Sequence, residues 1–188
     1  HIHTSSGRVP TKEGFKYYVS HIKQEEFVKN NLYPLDVESL GRPTFNDLVD
    51  TTLNALTRFS GYTSLLALSG EHAGFFYRGM RFILEQPEFE DITCLREIFH
   101  VLEERMDGLQ DILFNCMDEK VQILIGDDIG FEGIANCSLI VSGLRQPNME
   151  FALALLGPMR MNYMQAASCL YSIKNRFKDI IEAYLPEE

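Results

Sequence analysis

The sequence is short of positive charge: its 188 residues hold 17 Lys/Arg against 27 Asp/Glu, for a formal net charge of −10. Affinity for nucleic acid rests largely on Lys/Arg contacts to phosphate, so the main body of such a chain is not expected to bind DNA by itself. The shortage is uneven. Residues 1–30 carry five Lys/Arg and three Asp/Glu (+2), which leaves −12 over residues 31–188. Only the first dozen residues have a charge suited to approaching a phosphate backbone.

Cysteine is sparse as well, and Cys94, Cys116, Cys137 and Cys169 stand far apart. Zinc and redox motifs need close pairs, so these four read as reduced core residues of a cytoplasmic protein. No apolar run is long enough to cross a bilayer. The start at His1 is neither a Met nor a basic-plus-apolar leader, so neither a secretory signal nor a membrane partner is expected. A Gly-rich phosphate loop, a nucleophile elbow and an H-E-x-x-H motif are all lacking. His21, His72 and His100 fall in helical stretches without an Asp, Cys or Ser at a telling spacing, and His1 and His3 belong to the opening segment. Asp127-Asp128 lies between a strand and Gly130, where a solvated turn outweighs paired catalytic or metal-binding carboxylates. The chain is therefore read as a non-enzyme with no cofactor and no metal. It has no internal repeat and no low-complexity tract.

What is present is a clear succession of elements. Small polar residues with Gly7 and Pro10 give way to Phe15, Tyr18, Val19 and Ile22 at helical spacing, the pattern of a loop feeding a helix from about Gly14 to Asn30. A break follows at Leu32-Tyr33-Pro34. Thr44-Phe45-Asn46-Asp47 has the form of a capping box. Phe45, Leu48, Val49, Thr52, Leu53, Leu56 and Phe59 then predict a helix over residues 45–60, stopped by Gly61. Tyr62 to Leu68 reads as a strand, and Glu71 to Glu85 as a shorter helix halted by Pro87. Ile92, Leu95, Phe99, Leu102, Met106, Leu109, Leu113 and Cys116 form a heptad seam, with Gly108 placed to weaken or divide it. Val121–Ile125, Cys137–Leu144 and Phe151–Leu156 are strand candidates. The last two make an antiparallel hairpin through the turn Arg145-Gln146-Pro147-Asn148. Tyr163, Ala166, Leu170, Ile173, Phe177, Ile180 and Tyr184 make a second helical seam. The fold class is α+β, an antiparallel sheet with long helices before and after it.

Several segments carry a resemblance. His3-Thr4-Ser5-Ser6-Gly7-Arg8, with Pro10 and Gly14-Phe15-Lys16-Tyr17-Tyr18-Val19 beyond, is similar to the junction between head and body in HrcA-type heat-inducible transcription repressors. Gln86-Pro87-Glu88-Phe89, the strand Val121 to Gly126 with its acidic turn, Asn136-Cys137-Ser138-Leu139-Ile140, and Gly157-Pro158-Met159-Arg160-Met161-Asn162-Tyr163 resemble further motifs of the family in the expected order. One stretch departs. Only Gly61 to Met80 lies where the family carries a longer segment that includes an inserted dimerisation element.

The resemblance implies a GAF-like regulatory body whose winged-helix head precedes the chain. Residues 1–12 would then be the end of the wing and a linker, 13–61 a helical linker and dimerisation segment, and 62–188 the GAF-like regulatory domain. It also implies a homodimer on an inverted-repeat operator of chaperone genes, with activity modulated by the GroE chaperonin. Thr4, Ser6, Arg8 and Lys12 would lie nearest the DNA. The dimer contact is placed on the second helix through Leu48, Thr52, Leu53, Leu56 and Phe59; the competing reading is that this stripe faces its own core. Gly157 and Pro158 would end a strand and launch the last helix. Arg160 would then sit near that helix's N-terminus, where a cation needs a partner, and Tyr163 completes the motif and belongs to the helical seam. The alternative function is a GAF-like small-molecule sensor. The apolar sheet residues Val121, Ile123, Leu153 and Leu155 predict a filled core there and not a polar pocket.

Overall fold

The computed structural model describes residues 10–29, 33–37, 41–86, 89, 92–146 and 149–184. In chain order the elements are α1 (Lys12–Ser20), α2 (Gln24–Lys29), α3 (Phe45–Ser60), β1 (Thr63–Leu68), β2 (Gly74–Arg78), α4 (Arg81–Leu84), α5 (Ile92–Glu104), α6 (Met106–Cys116), β3 (Gln122–Ile125), β4 (Cys137–Arg145), β5 (Glu150–Pro158) and α7 (Tyr163–Tyr184). The five strands form one antiparallel sheet in the order β2-β1-β5-β4-β3.

Side-chain alternation along the central strands sets the layers. Leu66, Leu68, Ile140, Phe151, Leu153 and Leu155 point to the face covered by α3 and α7, where they pack with Leu53, Leu56, Leu170, Ile173 and Phe177. Leu65, Ala67, Leu139, Val141, Ala152, Ala154 and Leu156 point the other way, onto Ile98, Val101 and Leu102 of α5 and Leu109 and Leu113 of α6. An antiparallel sheet commonly leaves one face in water. Here both faces are covered, which is why β1, β4 and β5 read as almost unbroken apolar runs. The fold is α+β and GAF-like, as expected from the sequence.

The capping box forms as predicted. Thr44 Oγ1 accepts from the Asp47 backbone N–H at 3.2 Å, and the Asp47 carboxylate accepts from the Thr44 N–H at 2.8 Å. Gly61 ends α3 in the left-handed region at φ 74°, where a Cβ would be strained. The hairpin of β4 and β5 also forms, although its turn residues Pro147 and Asn148 lie outside the described residues.

Other expectations are corrected. The helix expected from Gly14 to Asn30 is two helices, broken at His21-Ile22-Lys23, with its expected end at Asn30 outside the described residues. The helix expected over Glu71–Glu85 is replaced by strand β2 and the short α4. Phe75, Phe76 and Tyr77 suit an extended, half-buried edge and pair with Phe76↔Leu66 and Tyr77↔Leu65, leaving only four helical residues in α4. The heptad seam is not one helix. It breaks at Arg105 (φ −124°, ψ 28°), whose guanidinium lies 4.5 Å from the centre of the Phe131 ring. Gly108 sits inside α6, where its lack of a side chain leaves room for that same ring. Seam positions Ile92 and Met106 are exposed. The seams of α5/α6 and α7 lie on opposite faces of the sheet and do not meet.

The described residues of the 13–61 segment share one core with the sheet and α7: Phe27, Leu48, Leu53 and Leu56 pack in the same cluster as Leu153 and Phe177. Cys137 and Cys169 are buried, Cys94 and Cys116 are half-buried, and none of the four is in a disulfide. Burial pushes the Cys169 thiol up to about 12 and raises those of Cys116 and Cys137, which favours the protonated thiol.

Candidate functional site: the docking of the first helix

α1 has no buried residue, and its attachment to the body is polar along one face. Lys12 and Lys16 stand four residues apart and so share a side of the helix. They meet two consecutive carboxylates in the turn after β3: Lys12 pairs with Asp127, and Lys16 Nζ reaches Asp128 Oδ1 at 2.6 Å. The turn is shaped for this approach. Gly126 has φ 61°, and a Cβ there would stand 2.5 Å from Lys12 Cε. The Lys12 hydrogen bond and charge, with Lys16 adding to them, hold the Asp127 carboxyl below its ordinary range.

An aromatic contact completes the docking. The Phe15 ring lies 6.2 Å from that of Tyr163, the first residue of α7. Tyr163 is itself fixed from below. Its hydroxyl donates to the Met159 carbonyl, so the Ser138 hydroxyl must be the donor in their 2.7 Å contact. Burial pushes the Tyr163 phenol up to about 12. α2 is fastened nearby, where the Gln24 side-chain amide donates to the Val121 carbonyl at 2.7 Å and accepts from its N–H at 3.1 Å. This double bond satisfies backbone at the head of edge strand β3.

The structure thus gathers motifs that are dispersed in the sequence. The acidic turn after β3, Ser138 of β4 and Tyr163 of α7 converge beneath the helix that follows the opening segment. Lys12, expected among the DNA-proximal residues, is paired with Asp127; Thr4, Ser6 and Arg8 lie outside the described residues. Lys16, Phe15, Ser138 and the role of Asp127-Asp128 were not legible, because the pairs span 115 and 112 residues. The available signal was two Lys at i, i+4 facing two adjacent Asp.

The remaining sites fall elsewhere. Leu48, Thr52, Leu53 and Leu56 are at most 1% exposed inside this chain's core, so they offer no surface to a second copy unless the core opens. Phe59 is half-buried against Tyr33, ring centres 5.5 Å apart. Gly157 and Pro158 are the last residues of β5 and do not launch α7, which begins only at Tyr163. A Cβ on Gly157 would lie 2.8 Å from Tyr62, whose hydroxyl accepts from the Asn162 N–H at 2.9 Å. Small size here admits the Tyr62 ring that ties the strand end to β1. Arg160 is exposed in the turn before α7. Among the described residues, no group of three His, Cys, Asp or Glu is placed to hold a metal ion, and no helix is long and apolar enough to cross a membrane.

A three-layer α+β body with a polar docking site for its leading helix defines a GAF-like domain. Comparison with known proteins gives the family: the domain described as "HrcA protein C terminal domain" matches residues 23–166, and the chain belongs to the HrcA family. The heat-inducible transcription repressor HrcA of Symbiobacterium thermophilum is 26% identical over 167 residues, covering 82% of this chain and 47% of that protein. That of Moorella thermoacetica is 33% identical over 120 residues, covering 63% and 34%. That of Bacillus pumilus is 33% identical over 110 residues, covering 57% and 30%. The chain therefore spans less than half the length of these curated relatives. A solved structure described as a hypothetical protein at 2.2 Å resolution shares the fold, with a TM-score of 0.67 at 14% identity over 98% of this chain and 83% of that one.

Proposed function

We propose that this chain is the regulatory body of a repressor of heat-shock gene transcription, and that a winged-helix head joined ahead of α1 reads the DNA. The observation that carries the reading is the convergence of the family's motifs on α1, in a chain that belongs to the HrcA family. A helix held at this place sets the direction in which a head leaves the body. The body itself is acidic, so DNA affinity falls to the head and to the basic opening residues.

Repression works through a homodimer. Two heads related by a two-fold axis match an inverted-repeat operator, and the spacing of the bodies sets the spacing of the heads. The contact between copies uses surfaces other than the apolar stripe of α3, since that stripe is taken up by its own core. The GroE chaperonin sets the active fraction by capturing non-native chains and returning them folded. Heat diverts chaperonin to other clients, the folded fraction drops, and chaperone genes are released. The protein acts in the cytoplasm as a regulator and not as an enzyme. A sensor pocket between sheet and helices is disfavoured, because Val121, Leu153 and Leu155 are buried in packed core and Ile123 packs against it.

The test is operator binding by the protein with a head restored, titrated across salt with and without chaperonin, beside this headless chain. Specific binding by the headed protein, raised by chaperonin and absent from the headless chain, is expected. A headed protein that is folded and dimeric yet ignores an inverted-repeat chaperone operator at all salt concentrations would contradict the reading.

A further inference from the structure

A cleft of about 340 Å³ opens where α2, the turn before β3 and the outer side of α7 meet. It lies outside the packed interface of sheet and helices. Lys174 of α7 lines it and is only 4% exposed. Buried charges are normally paired. This one meets no carboxylate within ion-pair distance among the described residues. Its ammonium donates to the Glu119 carbonyl at 3.1 Å and lies 5.9 Å from the centre of the Tyr171 ring. An ammonium has three donors, so this leaves donor capacity beside the cleft. Burial lowers the Lys174 pKa, opposed by the negative charge of Glu119 and Asp118 and reinforced by Lys178.

Two more cations line the same cleft. Lys120 is exposed and has no ion-pair partner among the described residues, while Lys178 reaches Glu182 at 3.7 Å. Glu25 and Glu119 are the carboxylates of the lining, so three ammonium groups face two acids in a chain of net charge −10. The Asn175 amide makes no hydrogen bond among the described residues.

We propose that this cleft binds the phosphate group of a small phosphate monoester, with Lys174 as the buried anchor and Lys120 and Lys178 flanking it. Lysines act as point charges and suit a tetrahedral dianion, whereas a planar carboxylate is best matched by the guanidinium fork, which the lining lacks. The Tyr171 ring and Leu144 form an apolar wall for the organic part, and Asn175 serves a hydroxyl on it. The site's position gives it a consequence: an occupant joins α2, which directly follows the docked α1, to the C-terminal helix. The site does not depend on the repressor reading and stands or falls without it.

The experiment is a ¹H–¹⁵N NMR titration of the chain with glycerol 3-phosphate, with succinate and chloride at equal ionic strength as comparators. Saturable shifts at Lys120, Lys174 and Asn175 are expected with the phosphate ester, with succinate at least about tenfold weaker. Lys120→Glu, at an exposed position that leaves the fold intact, is expected to weaken binding about tenfold. Lys174→Met, checked for fold by circular dichroism, is expected to abolish it. Shifts that do not saturate, an equal response to succinate, or unchanged affinity in Lys120→Glu would overturn the proposal.

Discussion

The central hairpin and the leading helix are held to this molecule by opposite means. In β4 and β5 nearly every side chain is buried, and the polar ones are satisfied internally: Ser142 Oγ lies 3.0 Å from the Asp118 and Glu119 carbonyls, and Ser138 bonds to Tyr163. α1 buries nothing completely and is held by two ion pairs with exposed carboxylates, the Phe15–Tyr163 contact, and Phe15 and Val19 lying half-buried against the core. Apolar burial is worth roughly 25 cal/mol per Å² and is not screened by salt, whereas exposed ion pairs contribute little and are screened. The body is therefore expected to be the durable part, and α1 the part released first. Under the proposed regulatory role that division is useful, since the leading helix could be released without unfolding the sheet.

The comparison is broken most severely from the core side. Phe177 packs edge-on against Phe151, ring centres 5.1 Å apart at 86°, and both are at most 1% exposed. Phe177→Ala should cost about 3–5 kcal/mol, read from the denaturant midpoint. Gly143→Ala follows. Its Cβ would fall 2.2 Å from the Phe151 carbonyl oxygen and 2.6 Å from Met117 Sδ, so backbone must move. A loss of about 1–3 kcal/mol is expected in the same assay. Thr44→Ala removes the cap of α3, and a loss of about 1 kcal/mol should appear as a lower Tm.

On the α1 side the effects are local. Asp127→Asn with Asp128→Asn should leave the denaturant midpoint unchanged while raising proteolytic cleavage between α1 and α2. Acid should act in the same direction. The folded Asp127 pKa is depressed, so its contribution is complete above the ordinary aspartate value of 3.8 and is lost as pH falls through the lower folded value. Loss of α1 helicity in that acid window, ahead of the sheet, checks the sign.

What could be read from the sequence follows the range of each interaction. The boundaries of α3 were legible because a capping box and a left-handed glycine are local signals. The β4–β5 hairpin and the apolar face of α7 were legible from periodicity. β2 was not, because three aromatics between glycines look helical until β1 is present to pair with them. The break at Arg105 was misplaced onto Gly108, whose real constraint is the Phe131 ring more than twenty residues on. The docking of α1 and the lysine-lined cleft were invisible for a stronger reason: each assembles side chains from four separated segments, and no spacing in the sequence encodes that approach.

Hydrogen exchange at residues 12–20, compared with residues 137–158, tests the weak docking of α1 most directly. In the intact chain α1 should exchange much faster than the hairpin, and the Asp127→Asn, Asp128→Asn double variant should speed α1 further while leaving the hairpin unchanged. Protection of α1 equal to that of β4 and β5, and unaltered in the double variant, would contradict it.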